Sequence, residues 1–107
     1  MPFIRFSDIA PREPFPGVRG SYFHSPQMTA GEVLLDAGVA VPMHSHPHDQ
    51  MTLVLSGRLE FMLGEDTREI GPGDTVVIPG GVRHGVRTTL GECKLIDVFA
   101  PARTDYR

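Results

Sequence analysis

Cysteine, stretches of one charge sign and long apolar runs are all scarce in this chain. Cys93 is the only cysteine, which excludes an intramolecular disulfide and a zinc cluster built from thiolates. The formal net charge is −3 and no block of like charge occurs. This argues against nucleic acid or an anionic membrane as a partner, because both require a basic patch. No apolar run approaches the length of a membrane span, and the first residues lack the apolar core of a secretory signal. We therefore expect a cytoplasmic protein with a single domain.

Glycine and proline are abundant instead. The chain contains twelve glycines and ten prolines, spread along its whole length. Because both residues interrupt helices, this distribution favours many short strands joined by turns, as in a small all-β barrel or sandwich. We predict strands at 18–24, 27–36, 39–44, 50–55, 58–63, 67–70, 75–78, 82–89 and 94–100. Ser56 and Gly57 are predicted to form a hairpin turn between the fourth and fifth of these strands.

The first segment differs from the rest in its proline content. Residues 1–16 include Pro2, Pro11, Pro14 and Pro16. Proline cannot donate to a strand ladder, so we predict an extended arm here, with one short strand at 3–6. Residues 17–107 are then predicted to form the single domain.

Histidines and one amide recur at two separated places. His44, His46 and Gln50 lie between Gly38 and Gly57, and His84 follows Gly73, Pro79 and Gly81. Residues two apart on a strand point the same way, so the imidazoles of His44 and His46 face one side. After a turn at Pro47, Gln50 opens the next strand and can point back at them. A rigid turn at 79–81 could bring His84 to the same place.

Such a set of donors is typical of a divalent metal site. Three imidazoles and one amide oxygen suit nickel, zinc, manganese or iron, and leave positions open for water or substrate. The alternative is that these are exposed loop histidines, since the chain has five histidines. We expect His48 to lie at the rim of the site, and His24 to be structural.

The two blocks resemble the two motifs of the cupin family. Gly38, His44, His46, Gln50 and Gly57 match the first motif, and Gly73, Pro79, Gly81 and His84 match the second. This resemblance implies a jelly-roll β-barrel and a metal held by His44, His46, Gln50 and His84. The chain departs from the general pattern in having Gln50 where glutamate is usual and Thr88 where asparagine is usual. Thr88 is not a ligand position.

Longer stretches are similar to the pectin-degradation cupins of the KdgF type. These stretches are 44–50, 78–86 and 95–103, and the likeness extends over about residues 17–106. The resemblance implies conversion of 4,5-unsaturated monouronates from pectin or alginate to linear keto-uronates. It also implies that Asp97, Phe99 and Arg103 act on the substrate. Small cupins commonly form homodimers, so the resemblance implies a homodimer as well.

Gln50 gives an independent reason to expect an anionic substrate. A neutral amide leaves a divalent ion with both of its positive charges, whereas a glutamate would cancel one. The ion is then a stronger Lewis acid and attracts anions better. We therefore weigh acid–base or hydration chemistry on an anionic ligand above dioxygenase chemistry.

Asp97 stands in an apolar strand between Ile96 and Val98. A carboxylate there either enters the interior as a general acid or base, or forms a structural salt bridge with Arg103 or Arg87. Arg103 could hold a carboxylate with two hydrogen bonds, or be a solvated charge near the end of the chain. The remaining alternatives are a cupin dioxygenase or isomerase, and a non-catalytic cupin that binds a sugar or small anion.

Overall fold

Two long bent strands organise the molecule. The computed structural model describes residues 3–106. Its strands are β1 Arg12–Phe15, β2 Val18–His24, β3 Thr29–Leu35, β4 Ala40–His44, β5 Asp49–Leu63, β6 Asp66–Ile70, β7 Thr75–Ile78 and β8 His84–Ala100. Two 3₁₀ turns, Phe6–Asp8 and Thr104–Tyr106, complete it. The all-β prediction is confirmed. Along residues 3–106, no helix has the length and apolar character needed to cross a membrane.

Strands β5 and β8 pair with each other along both halves, and each half belongs to a different layer. The layer that holds the first half of β5 has the order β1-β2-β3-β8-β5-β7. The layer that holds its second half has the order β4-β8-β5-β6. All pairs are antiparallel, and the apolar core lies between the layers, as in a jelly roll.

The bend in β5 corrects one prediction. Ser56 and Gly57 do not form a hairpin turn, because β5 continues through them as a bulge opposite β8. Gly57 has a φ of 85° and a Cβ there would overlap the carbonyl of Glu92, so only glycine fits. The bulge also changes which residues face inward: Gln50, Thr52 and Val54 before it, but Leu59 and Phe61 after it. Because β8 bends with β5, the predicted strands 82–89 and 94–100 are also one strand.

The short strand predicted at 3–6 is wrong. Phe6 begins a 3₁₀ turn, and the strand within the proline-rich segment is β1, which pairs with β2 beside the cavity. Met1 and Pro2 lie outside the described residues, as does Arg107. Pro42 lies in β4, which pairs only with β8 among the described strands, and an edge strand of this kind tolerates proline, which has no N–H to donate.

Candidate metal centre and its cavity

Two loops at one end of the sandwich carry the histidines, and backbone contacts hold these loops together. Residues 45–48 join β4 to β5, and residues 79–83 join β7 to β8. The Gly80 N–H donates to Asp49 Oδ1 (2.8 Å), and the Gly81 N–H donates to the His46 carbonyl (2.8 Å). A Cβ at Gly80 would overlap the carbonyl oxygen of Pro47. Gly80, between Pro79 and Gly81 of the second motif, therefore allows the close approach of the two loops.

The imidazoles of His44, His46 and His84 converge. One ring nitrogen of each lies within 4.8 Å of the others, so the three could hold a metal ion. In each ring, Nδ1 contacts a backbone carbonyl two residues away: His44 with Pro42 (2.8 Å), His46 with His48 (3.0 Å) and His84 with Val82 (2.9 Å). A carbonyl can only accept, so Nδ1 carries the hydrogen and Nε2 keeps a free lone pair. This tautomer is the one that metal-binding histidines use.

His84 is the most deeply placed of the three. Only 3% of its surface is exposed, and its Nε2 has no hydrogen-bond partner among residues 3–106. Burial lowers the pKa of His84 to about 4, so the ring is neutral near pH 7. A buried nitrogen lone pair without a partner carries a free-energy penalty, which a bound cation would remove.

The amide of Gln50 adds a fourth donor atom. Its Nε2 donates to Thr52 Oγ1 (2.9 Å) and to Asp97 Oδ1 (3.3 Å), which turns its Oε1 toward His46 Nε2 at 2.9 Å. In neutral His46 both of these facing atoms are acceptors, and burial lowers the pKa of His46, which disfavours the imidazolium. Two ligand atoms on one metal, each about 2.1 Å from it and at right angles, are about 3 Å apart. The pair therefore fits neighbouring positions on a metal.

Asp97 lies directly behind this amide. Thr52 donates to Asp97 Oδ1 at 2.6 Å, and Gln50 is the second donor. Burial raises the pKa of Asp97 to about 6, although both hydrogen bonds and the charge of Arg103 act against the rise. The salt bridge with Arg103 or Arg87 that the sequence left open is not formed. A carboxylate with this pKa can both accept and release a proton near neutral pH.

Arg103 is buried, with 8% of its surface exposed, so it is not a solvated charge near the chain end. Its guanidinium carbon lies 4.8 Å from the centre of the Phe99 ring and 4.0 Å from that of Tyr106. Nε and Nη2 donate to the two oxygens of Asp105 (3.0 and 2.8 Å), which lowers the pKa of Asp105 to about 2. Three neighbours thus fix the guanidinium group.

All of these groups surround one cavity between the layers. It is partly open to solvent, and its volume is about 70 Å³, counted as the space that the centre of a water-sized molecule can occupy. The structure brings together every residue that the sequence singled out for the site: His44, His46, Gln50, His84, Asp97, Phe99 and Arg103. Neutral donors, a partly buried carboxylate and a fixed cation in one cavity can bind a metal, move a proton and bind an anion.

Three cavity residues were missed by the sequence reasoning. Thr52 could have been found, because it lies two residues after Gln50 on the same strand face. Tyr22 faces inward from β2 but belongs to no motif, and Tyr106 lies beyond the last strand, where no periodicity exists. His24, which the sequence analysis expected to be structural, is not part of the histidine cluster. Its Nδ1 forms a hydrogen bond of 2.7 Å with Thr29 Oγ1.

His48 packs beside His46 at a ring distance of 5.4 Å, and its Nδ1 has no partner among residues 3–106. Its nearness to Arg103 and Asp105, which act on its pKa, agrees with a position at the rim. Thr88 receives a hydrogen bond from the Val39 N–H (2.9 Å) and is structural.

Comparison with known proteins gives one family and a small group of relatives. The model of the cupin domain matches residues 31–99. The structure of KdgF from Halomonas sp. superposes with a TM-score of 0.91 and 29% identity, covering 100% of this chain and 99% of that one. Pectin degradation protein KdgF of Dickeya dadantii is 33% identical over 59% of this chain and 58% of that protein.

A different activity is named for another relative. Dimethylsulfoniopropionate lyase DddQ of Ruegeria pomeroyi is 39% identical over 64% of this chain. That match spans only 35% of the lyase's length. The solved structure of KdgF from Halomonas sp. therefore matches the whole chain, whereas the lyase DddQ and the KdgF protein of Dickeya dadantii match part of it.

Proposed function

The chain belongs to the cupin domain family, and from that premise we propose that it is a metal-dependent enzyme converting 4,5-unsaturated monouronates from pectin or alginate to linear keto-uronates. The observation that carries this proposal is the linked set of polar groups in one cavity. The amide of Gln50 contacts both His46 and the partly buried carboxylate of Asp97, and the cation of Arg103 lies nearby. This arrangement suits an anionic substrate that must gain a proton at carbon.

We assign the metal to His44, His46, Gln50 and His84. A divalent ion there, whether nickel, zinc, manganese or iron, would supply Lewis acidity toward substrate oxygens. All four ligands are neutral, so the site as a whole is cationic and favours an anion over a neutral sugar. Without a ligand carboxylate, the site stabilises a trivalent metal ion less than a site with a glutamate ligand would. This disfavours the dioxygenase alternative.

The remaining roles go to Asp97, Phe99 and Arg103. The substrate holds an enol ether in its ring, between carbons 4 and 5 and the ring oxygen. We infer that Asp97 delivers a proton to carbon 4 while water adds to carbon 5. The added water returns a proton to Asp97 and leaves a hydroxyl group on carbon 5. The bond from carbon 5 to the ring oxygen then breaks as this hydroxyl group becomes the ketone and its proton passes to the ring oxygen. Water leaves carbon 1 as the aldehyde forms. The net change is an isomerisation, so no further reactant is needed. Phe99 packs against the sugar, and Arg103 holds its carboxylate.

A second candidate is cleavage of dimethylsulfoniopropionate, which the identity of 39% with that lyase favours. Its substrate has a sulfonium cation as well as a carboxylate. An aromatic face would be the natural place for a sulfonium group. The guanidinium group of Arg103 already lies over one face of Phe99 and one face of Tyr106 and would repel a second cation there, so the cavity suits the uronate better.

The test is direct. Protein loaded in turn with nickel, zinc, manganese and iron is incubated with an unsaturated monouronate, and loss of the double bond is followed by ultraviolet absorbance. We expect acceleration over the spontaneous reaction with at least one metal, and none after His84→Gln. Disappearance of dimethylsulfoniopropionate, followed by nuclear magnetic resonance, would favour the second candidate instead. Oxygen uptake by the iron form would favour a dioxygenase. Uronate binding without turnover would favour a non-catalytic cupin.

We also propose that the chain is a homodimer. Met51, Leu53 and Leu55 of β5 and Val77 of β7 form an apolar row on the outer side of one layer, with 37–59% of each residue exposed. Glu32 and Lys94 form an ion pair of 3.7 Å within the chain, and such a pair of opposite charges is compatible with a self-complementary two-fold interface. Leu53→Glu should give a monomer in light scattering. Leu90→Glu, at an exposed position on the bend of β8, is the matched control and should leave the dimer intact.

A further inference from the structure

Tyr22 is a cavity residue to which neither motif assigns a role. It lies on β2 with 8% of its surface exposed and lines the cavity together with the histidines. Strand register places Tyr22 opposite Gly31 of β3, and Gly31 opposite Asp97 of β8. Directly opposite residues of antiparallel strands share a face. Tyr22 and Asp97 therefore point into the cavity from the same row of the sheet, with a glycine between them.

Two glycines make space for the phenol ring. A Cβ at Gly31 would overlap one edge of the Tyr22 ring, and a Cβ at Gly20 would overlap its hydroxyl oxygen and the adjoining carbons. The ring thus lies flat over the backbone of β2 and β3, in the space that two side chains would otherwise fill. Such packing fixes the position of the hydroxyl group much more closely than a free rotamer would.

The hydroxyl group of Tyr22 makes no hydrogen bond to any of residues 3–106, although the ring that carries it is buried. Burial and the neighbouring Asp97 raise the pKa of Tyr22 far above its usual value, so the group stays protonated and can donate. A phenol that is held in place, protonated and without a partner is suited to bind a ligand oxygen.

Arg103 lies close by, because both groups pack on Tyr106. The ring centres of Tyr22 and Tyr106 are 4.6 Å apart, and the Arg103 guanidinium carbon is 4.0 Å from the centre of the Tyr106 ring. The Nε and Nη2 edge of Arg103 is engaged by Asp105. A substrate carboxylate can therefore reach only the outer end of the guanidinium group, and a further donor beside it would strengthen the binding.

Resting on the proposed function, we propose that Tyr22 is a specificity-determining residue whose hydroxyl group donates a hydrogen bond to the substrate carboxylate beside Arg103. Gly20 and Gly31 are then part of the recognition site, because they allow the ring to lie where it does. A uronate is bound by both donors through its two carboxylate oxygens, whereas the corresponding neutral sugar has a single hydroxyl oxygen at carbon 6 and no negative charge there.

The first experiment uses D-galacturonate, a saturated uronate without the reactive double bond, and D-galactose as its neutral counterpart. Binding to metal-loaded protein is measured by calorimetry, with metal content and melting temperature as controls. We expect Tyr22→Phe to weaken galacturonate binding by about tenfold, the loss expected for one hydrogen bond to a charged group, without change in metal content. Equal affinities in the two proteins would overturn the inference. No uronate binding by the unmodified protein would overturn the proposed function instead.

A second measurement needs no change at Tyr22 and holds even if Tyr22→Phe fails to fold. The chain has two tyrosines, Tyr22 and Tyr106, so labelling the ring carbon that bears the hydroxyl gives two resonances. Tyr106→Phe identifies which is which. We expect the Tyr22 resonance to move on addition of galacturonate and to stay in place with galactose. If the chemical shift of the Tyr22 resonance did not change at a saturating concentration of galacturonate, the inference would be contradicted.

Discussion

The side-chain amide of Gln50 connects the histidine cluster to the carboxylate of Asp97. Its oxygen lies 2.9 Å from His46 Nε2, and its nitrogen donates to Asp97 Oδ1 at 3.3 Å. Because a carboxylate only accepts hydrogen bonds, Asp97 fixes which end of the amide faces the histidines. The Gln50 amide can therefore donate to Asp97 while its oxygen faces the metal site. A glutamate could not donate to Asp97 and would not be equivalent.

Gln50→Glu should lower kcat/KM at pH 7 by at least about tenfold while the metal stays bound. A glutamate cannot donate to Thr52 or Asp97, and its charge beside Asp97 raises the pKa of that carboxyl further. We expect the limb of the pH–rate profile that reports Asp97 to move to higher pH. Gln27→Glu makes the same change at the other glutamine, on the surface, and should alter neither quantity. If Gln50→Glu left the rate and the pH–rate profile unchanged, the argument that activity needs a neutral ligand at position 50 would be contradicted.

Asp97→Asn should retain the metal and lose about 100-fold in kcat, because an asparagine keeps the shape of the side chain but carries no proton. Metal content by mass spectrometry and rate by ultraviolet absorbance are measured on the same sample. Asp36→Asn, at a surface ion pair with Arg19, is the control and should be fully active. If Asp97→Asn lost its metal, Asp97 would have a structural role.

Arg103→Lys should raise KM for the uronate about tenfold with a smaller change in kcat. Lysine keeps the charge but has neither the planar group that stacks between Phe99 and Tyr106 nor the paired donors. Initial rates over a range of substrate concentrations give the two constants. Arg87→Lys, in an exposed pair with Glu60, should change neither of them. A raised KM in both variants would show that the effect is not specific to Arg103 and would contradict its assigned role.

The stability of the metal-free protein should depend on pH through two opposing groups. Burial lowers the pKa of His84 from 6.5 to about 4, so between these values only the unfolded chain binds the proton, and stability rises with pH. Burial raises the pKa of Asp97 from 3.8 to about 6, so in that window only the folded protein keeps the proton, and stability falls with pH. Each effect amounts to about 3 kcal/mol at most, and from pH 4 to 6 they largely cancel.

Variants separate the two contributions. In urea unfolding between pH 4 and 6, Asp97→Asn should make the slope of stability against pH more positive than in the unmodified protein. His84→Gln should make it more negative. Identical slopes in all three metal-free proteins would mean that neither group titrates differently in the folded and unfolded states.

Much of the fold could be predicted from local patterns. The glycines and prolines spread along the whole chain predicted many short strands joined by turns in an all-β domain, and the structure confirms it. The same reasoning placed a hairpin at Ser56 and Gly57, because a glycine between two strands looks like a turn. Pairing with β8 on both sides of that glycine decides that β5 continues, and pairing is not a local property.

The candidate site divides in the same way. The ligand types were evident from His44, His46, Gln50 and His84, since motif spacing and side-chain chemistry are read directly from the sequence. The environment of Asp97 was not, because the choice between an ion pair and the Thr52 and Gln50 hydrogen bonds depends on which strands lie side by side.

The sequence by itself determined an all-β chain, its membership of one family and four donors suited to a divalent metal. Those properties follow from strand periodicity, turn residues and donor chemistry, all of which act over a few residues. Only the tertiary structure decided that Asp97 orients the Gln50 amide, that Asp105 engages one edge of Arg103, and that Tyr22 lies over two glycines beside them. These relationships depend on cross-strand register and on the packing of the final 3₁₀ turn, which long-range contacts set.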